Sequence, residues 1–287
     1  YTVYSMEVAR EMARLATVDG EVDYGACFET WLTTDKTHTI DRIPVGKYLL
    51  KELSTIDGYT VAKPMIIEVK DTADTQTFEL ANDFHKIEIS KTNLHTNEFV
   101  EGATLAIVPV EDGEIQYGET YETWMTTDKA HRIDRIPEGE YAIVELSTPA
   151  NSGYLKAEPV FITVKDTTEV QSFEMKDDYT KVEISKQDIV TGEEIKNAHL
   201  QIIDDETNEV VKEWVTNGEK TLIENVLQPN HDYTLVETSV DEKGYIKAED
   251  VKFHVDETGE IQTVTMKDDF TKVEFSKEDI TTGEEIE

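Results

Sequence analysis

Residues 180–186 read TKVEISK, and the heptad returns with one change as TKVEFSK at 271–277 and with two as HKIEISK at 85–91. Apolar and polar residues alternate within it. Val182, Ile184 and Lys186 share one side, while Lys181, Glu183 and Ser185 share the other. A period of two marks a half-buried strand. Downstream come further short alternating runs: HLQIID at 199–204, YTLVET at 233–238, VKFHVD at 251–256 and QTVTMK at 262–267. Turn residues separate them at Thr191-Gly192, Pro229-Asn230 and Thr258-Gly259. Several such strands within one repeat predict an all-β fold, an antiparallel β-sandwich.

Working outward, other stretches repeat in step. FETWLTTDK at 28–36 returns as YETWMTTDK at 121–129. Trp31, Trp124 and Trp214 recur, as do Pro44, Pro137 and Pro229, and the pairs Gly58-Tyr59, Gly153-Tyr154 and Gly244-Tyr245. The period is about 91–95 residues, the signature of tandem modules. The expected units are a partial or variant module over 1–83, full modules over 84–178 and 179–269, and the first strand of a further truncated module over 270–287. Junctions such as MKDDYTKVEISK, residues 175–186, lack a Gly/Ser/Pro-rich linker, which predicts close coupling between neighbours. One helix-like stretch, Met6–Leu15, has apolar residues at helical spacing.

Alternation also places ionisable groups on apolar faces. In the third unit, Lys186 follows Val182 and Ile184, Glu237 follows Tyr233 and Leu235, and Asp268 follows Val264 and Met266. The second unit repeats this with Lys91 after Ile87 and Ile89, Glu145 after Tyr141 and Ile143, and Asp177 after Phe173 and Met175. The first unit has Glu52 and Asn82 in the equivalent places, but no lysine precedes Lys36. Lys277 has the opposite problem, a first-strand lysine without the rest of its module. Inward charges cost several kcal/mol unless paired or neutralised. Burial favours a neutral amine and a protonated acid. A neutral amine is a nucleophile, and a protonated acid can shuttle protons. The trio therefore has the parts to condense lysine with aspartate and lose water, or with asparagine and lose ammonia.

VEISK with its lysine, YTLVET followed by a Gly-Tyr pair, and VTMKDD together resemble the collagen-adhesin B-type, or SpaA-like, repeat domains of Gram-positive surface proteins. The resemblance spans nearly the whole chain. It implies a prealbumin-like sandwich in which a first-strand lysine joins an Asn or Asp of the last strand with a glutamate as the assisting acid. Carried over, Lys91 joins Asp177 with Glu145 assisting, and Lys186 joins Asp268 with Glu237 assisting. Glu52 and Asn82 hold the equivalent positions of the first unit, whose partner lysine is not among these residues, so that either its first strand lies upstream or the unit is uncrosslinked; Lys277 is the unpaired counterpart. The pilin lysine motif and LPXTG-type sorting signal of the family do not occur in these residues, so stalk repeats are expected rather than pilus polymerisation.

The remaining features set bounds. Acidic residues outnumber basic ones 62 to 27, a net charge of −35 that repels nucleic acid and anionic membranes. No apolar run is long enough to span a membrane. A single cysteine, Cys27, excludes an intrachain disulfide and is expected to be a small buried or half-buried thiol. The tryptophans are expected to pack at strand ends or on the sheet, and the repeat-matched His38 and His131 to be ordinary surface or turn residues. Acidic turns lack the EF-hand pattern, so neither metal nor cofactor is expected, and no nucleophile triad or phosphate-binding loop is present. The expected role is a non-enzymatic, monomeric stalk on the bacterial cell surface, with any host matrix or surface ligand bound by other parts of the parent protein. Two other classes stay open: adhesin modules that bind host matrix protein or carbohydrate, and accessory modules of a secreted enzyme.

Overall fold

The computed structural model describes residues 2–5, 27–240 and 244–286. Among the described residues every regular element is a β-strand. The helix-like stretch Met6–Leu15 lies outside them, as does the side chain of Cys27, which opens a strand.

The first unit holds β1 (Thr2–Ser5), β2 (Cys27–Thr30), β3 (Gly46–Lys51) and β4 (Met65–Val69), joined in one sheet of order β2-β1-β3-β4. The second unit holds β5 (Lys86–Asn93), β6 (Thr104–Glu111), β7 (Glu114–Ile115), β8 (Glu122–Met125), β9 (His131–Asp134), β10 (Gly139–Ser147), β11 (Val160–Val164) and β12 (Val170–Asp177). One of its sheets runs β11-β10-β6 with β7 and β8 against β6, and the other runs β12-β5-β9. The third unit repeats the plan with β13 (Lys181–Asp188), β14 (Lys196–Asp204), β15 (Val210–Asn217), β16 (Thr221–Glu224), β17 (His231–Val240), β18 (Val251–Val255) and β19 (Ile261–Asp268), in sheets β15-β14-β17-β18 and β16-β13-β19.

Each complete unit buries the apolar faces of its two sheets against each other. In the second, Ile87, Ile89 and Met175 meet Leu105, Ile107, Tyr141 and Ile143. In the third, Val182, Ile184 and Met266 meet Leu200, Ile202, Tyr233 and Leu235. Pairing is antiparallel except at one place, which recurs. The first and last strands of a complete unit lie side by side in parallel, β5 with β12 and β13 with β19.

Among the described residues the first unit lacks this pair. Its β1 takes the place of β6, pairing with β2 and β3 as β6 pairs with β8 and β10. Residues 75–82, equivalent to β12, form no strand, because no first strand lies beside them among the described residues. Residues 271–277 likewise form no strand and are exposed. A ladder needs two partners, and the heptad's alternation alone does not supply the second.

Trp124 is buried in the core of the second unit, in accord with a packing role. His131 keeps a surface position, its side chain 30% exposed, but on a strand rather than in a turn. It opens β9, stacks on Trp124 at a centroid distance of 4.5 Å and pairs with Glu122 at 2.7 Å. His38 does the same with Trp31 at 4.4 Å and Glu29 at 2.7 Å. The shared spacing of Trp and His across the repeat was the sign that they act together.

Candidate cross-linking sites

The pleat of β5 turns Lys91 into the sandwich along with Ile87 and Ile89, leaving it 2% exposed. β12 brings Asp177 and β10 brings Glu145, both 0% exposed. The amine of Lys91 contacts Oδ1 of Asp177 directly and lies 3.3 Å from Oε2 of Glu145. In the third unit Lys186 is 1% exposed, and Glu237 and Asp268 are 0% exposed. Lys186 contacts Oδ1 of Asp268 and lies 3.2 Å from Oε1 of Glu237. All six residues singled out in the two complete units thus fall into two trios of the same form.

A backbone contact seats each glutamate. The N–H of Ala157 donates to Oε2 of Glu145 at 2.7 Å, and the N–H of Ala248 to Oε2 of Glu237 at 2.6 Å. The first unit repeats it with Ala62 and Glu52 at 2.6 Å. Each alanine follows its Gly-Tyr pair at the same interval, in GYTVA at 58–62, GYLKA at 153–157 and GYIKA at 244–248. The Gly-Tyr pairs were visible as repeats, and their alanines were the missed part of the motif. The segment after the tyrosine runs past the glutamate and fixes it with one main-chain donor.

Electrostatics follow from burial. Desolvation pushes Asp177 up to about 7, against the lowering effect of Lys91 and with the help of nearby Glu145. Asp268 is raised for the same reasons, with Lys186 and Glu237 in the corresponding parts. Oδ2 of each aspartate and Oε1 of each glutamate are buried without a well-aligned hydrogen-bond partner. Buried acceptors left this way are rare. Burial thus favours the protonated form of Asp177 and of Asp268 beside the lysine amine.

The first unit holds two members of the trio. Nδ2 of Asn82 donates to Oε2 of Glu52 at 2.6 Å, to Oγ1 of Thr55 at 3.1 Å and to the carbonyl of Thr60 at 3.1 Å. No lysine lies with them among the described residues. Lys277 is exposed in the strandless segment at 271–277, away from any acid of this kind. Among the described residues no group of His, Cys, Asp and Glu side chains is arranged to hold a metal ion. No described helix is long and apolar enough to cross a membrane.

The model of the SpaA prealbumin-like fold domain matches this chain three times in succession, over residues 11–83, 85–179 and 180–269. The chain belongs to this family. The two SpaA-type units at 85–179 and 180–269 are those that carry complete trios, and the one at 11–83 carries Glu52 and Asn82. Among solved structures, the chain is similar to the Bacillus anthracis TIE protein at 25% identity, covering 79% of this chain and 42% of that one, with a TM-score of 0.42. It thus spans less than half of that protein's length. It is also similar to the shaft pilin SpaA of Lactobacillus rhamnosus GG at 15% identity, covering 66% and 98% of the two chains, with a TM-score of 0.37. A streptococcal ancillary pilin matches at 15% identity over 78% and 76%, with a TM-score of 0.36. No curated protein matches the chain.

Proposed function

We propose that this chain is a run of stalk modules from a Gram-positive cell-surface protein, and that its two complete modules staple themselves through Lys91–Asp177 and Lys186–Asp268 amide bonds. The observation that carries this is the pair of buried trios, each a lysine amine in contact with an aspartate carboxyl and a glutamate carboxyl. No substrate enters and each site reacts once, so the protein is not an enzyme in the turnover sense. Membership of the SpaA family supports a structural role at the cell surface.

The chemistry balances within each trio. A proton passes from the lysine ammonium to the aspartate, giving an amine and a carboxylic acid. The amine nitrogen attacks Cγ of the aspartic acid. Glu145, or Glu237, takes the proton released by that nitrogen and hands it to the departing hydroxyl. An amide and one water result. No activating agent is needed, because groups held in contact react with effective molarities of about 10⁵ M or more.

The bond fits a load-bearing part. In a parallel pair of first and last strands, tension enters at the start of one and leaves at the end of the other. The strands are loaded in shear, and a bond between them carries load past the rest of the module. It encloses a sequence separation of 86 residues in the second module and 82 in the third. By analogy with disulfides, closing such loops stabilises each module by about 4–5 kcal/mol. Unlike a disulfide, the amide is indifferent to reduction.

Intact mass spectrometry tests the proposal. The protein should weigh two waters less than its sequence. Lys186→Ala or Glu237→Ala should restore one of them and lower the thermal stability of the third module. A mass equal to that of the sequence would overturn the cross-linking mechanism.

A further inference from the structure

The segment that seats each glutamate also grips the other two strands of its trio. In the third module, Ala248 of the segment 244–248 donates to Glu237. The N–H of Ile246 donates to the carbonyl of Asp269 at 2.9 Å, next in the chain to Asp268. The hydroxyl of Tyr245 donates to Oδ2 of Asp188 at 2.9 Å. The second module repeats all three contacts. Ala157 donates to Glu145, the N–H of Leu155 to the carbonyl of Asp178 at 2.9 Å, and Nδ2 of Asn93 to the hydroxyl of Tyr154 at 3.2 Å. Asp188 and Asn93 each stand two residues past the lysine, so the pleat turns them to the lysine's face, and each is 6% exposed. Across the parallel ladder they are the backbone partners of Asp268 and Asp177. Each also opens a turn whose first N–H returns to the aspartate. Ile189 donates to the carbonyl of Asp268 at 3.0 Å, and Leu94 to that of Asp177 at 2.8 Å. The N–H groups of Thr191 and Val190, with the Tyr245 hydroxyl, hold the Asp188 carboxyl below the usual carboxylate range. Oδ1 of Asn93 accepts from the N–H groups of His95 and Thr96 in the same way, at 2.8 and 3.1 Å.

We propose that Tyr245 and Tyr154 are positioning residues of the cross-linking reaction, clamping the lysine's strand to the aspartate's strand through Asp188 and Asn93. The inference rests on the cross-linking chemistry proposed for these two modules. The amine reaches its carboxyl diagonally along the parallel pair, so a slide of one strand past the other changes the distance of attack directly. A misplacement of about 1 Å can cost about a hundredfold in rate. The clamp opposes that slide at three points. Tyr245 holds the residue just past the lysine, Ile246 holds the residue just past the aspartate, and Ala248 holds the glutamate. One short segment therefore fixes the nucleophile, the electrophile and the proton carrier relative to one another. Tyr245 and Tyr154 do this with opposite hydrogen-bond senses. Tyr245 donates to a carboxylate, and Tyr154 accepts from an amide. A phenol hydroxyl can serve in either sense, which lets aspartate and asparagine fill the same place in the two modules.

The test follows the full chain from cell-free synthesis. Samples are quenched in denaturant at intervals, and the Lys–Asp-linked peptide of each module is quantified by digestion and mass spectrometry. Tyr245→Phe keeps the ring and loses the hydroxyl. It should slow bond formation in the third module about tenfold, the worth of one hydrogen bond to a charged group, and leave the second module at the wild-type rate. Asp188→Ala should slow the third module at least as much, and adding Tyr245→Phe to it should change nothing further, because the contact is already gone. Asp188→Asn should restore most of the rate lost in Asp188→Ala, since Asn93 and Tyr154 make the same contact in the second module. A wild-type rate in Tyr245→Phe, a further loss in the double variant, or no rescue by Asp188→Asn would each overturn the clamp. Thermal melts of Lys186→Ala with and without Tyr245→Phe should show both third modules folded at the temperature of the assay. Loss of the fold would make the hydroxyl a structural contact and overturn its part in the reaction. Absence of both linked peptides from the wild type would instead overturn the cross-linking chemistry itself.

Discussion

Lys91 and Asp177 are two positions out of register. Across the parallel β5–β12 pair the backbone partner of Lys91 is Met175, and that of Asp177 is Asn93. Lys186 and Asp268 repeat the offset, with Met266 and Asp188 as their backbone partners. The diagonal lets a long amine reach along the strand to a short carboxyl on the same face. A directly opposed pair would set the lysine chain past its target.

The offset has a mechanical consequence. Single-molecule stretching of the wild type should show no extension from the second or third module. Lys186→Ala should release the third module's enclosed 82-residue separation, an added length of about 280 Å at the extended-chain rise per residue. Extension of the third module in the wild type would count against the bond.

Lys91→Ala should make the second module sensitive to pH. Burial raises Asp177 to about 7 even with Lys91 lowering it, and removing the lysine takes that lowering away. An acid whose folded value exceeds its unfolded one binds its proton more tightly when folded. Its stabilising share is complete below about 4, the ordinary aspartate value, and is lost as pH rises through the folded value. Thermal melts should show the variant's second module strongest at acid pH. Near neutrality it should be weaker than wild type by about 3–5 kcal/mol from the stranded buried charge alone.

Glu145→Gln preserves size and the contact from the Ala157 N–H but removes the proton carrier. The mass should rise by one water, with the third module's bond untouched. If both waters stay lost, Glu145 is not needed for the chemistry.

The Gly-Tyr pairs also couple neighbouring modules. The N–H of Thr180 donates to the carbonyl of Gly153 at 2.9 Å, and that of His85 to Gly58 at 2.9 Å. A side-chain carbon at Gly153 would sit 2.8 Å from Cα of Asn225, on the backbone of the third module. Gly153→Ala should therefore loosen the joint while both bonds still form. Small-angle scattering should report a wider spread of overall dimensions at unchanged mass.

Much of this was legible in one dimension because pleating is local. A strand sends every second side chain inward, so Lys91, Glu145 and Asp177 could be assigned to core faces from their apolar neighbours two residues away. The repeats likewise showed that the first unit has an asparagine at position 82 and no lysine before Lys36. Alternation names a face and not a neighbour, however. Which strands lie side by side depends on contacts between residues more than eighty positions apart. Only the folded sandwich set the first and last strands parallel, ran the Ala157 N–H past Glu145, stacked His131 on Trp124, and left residues 75–82 without a strand beside them among the described residues.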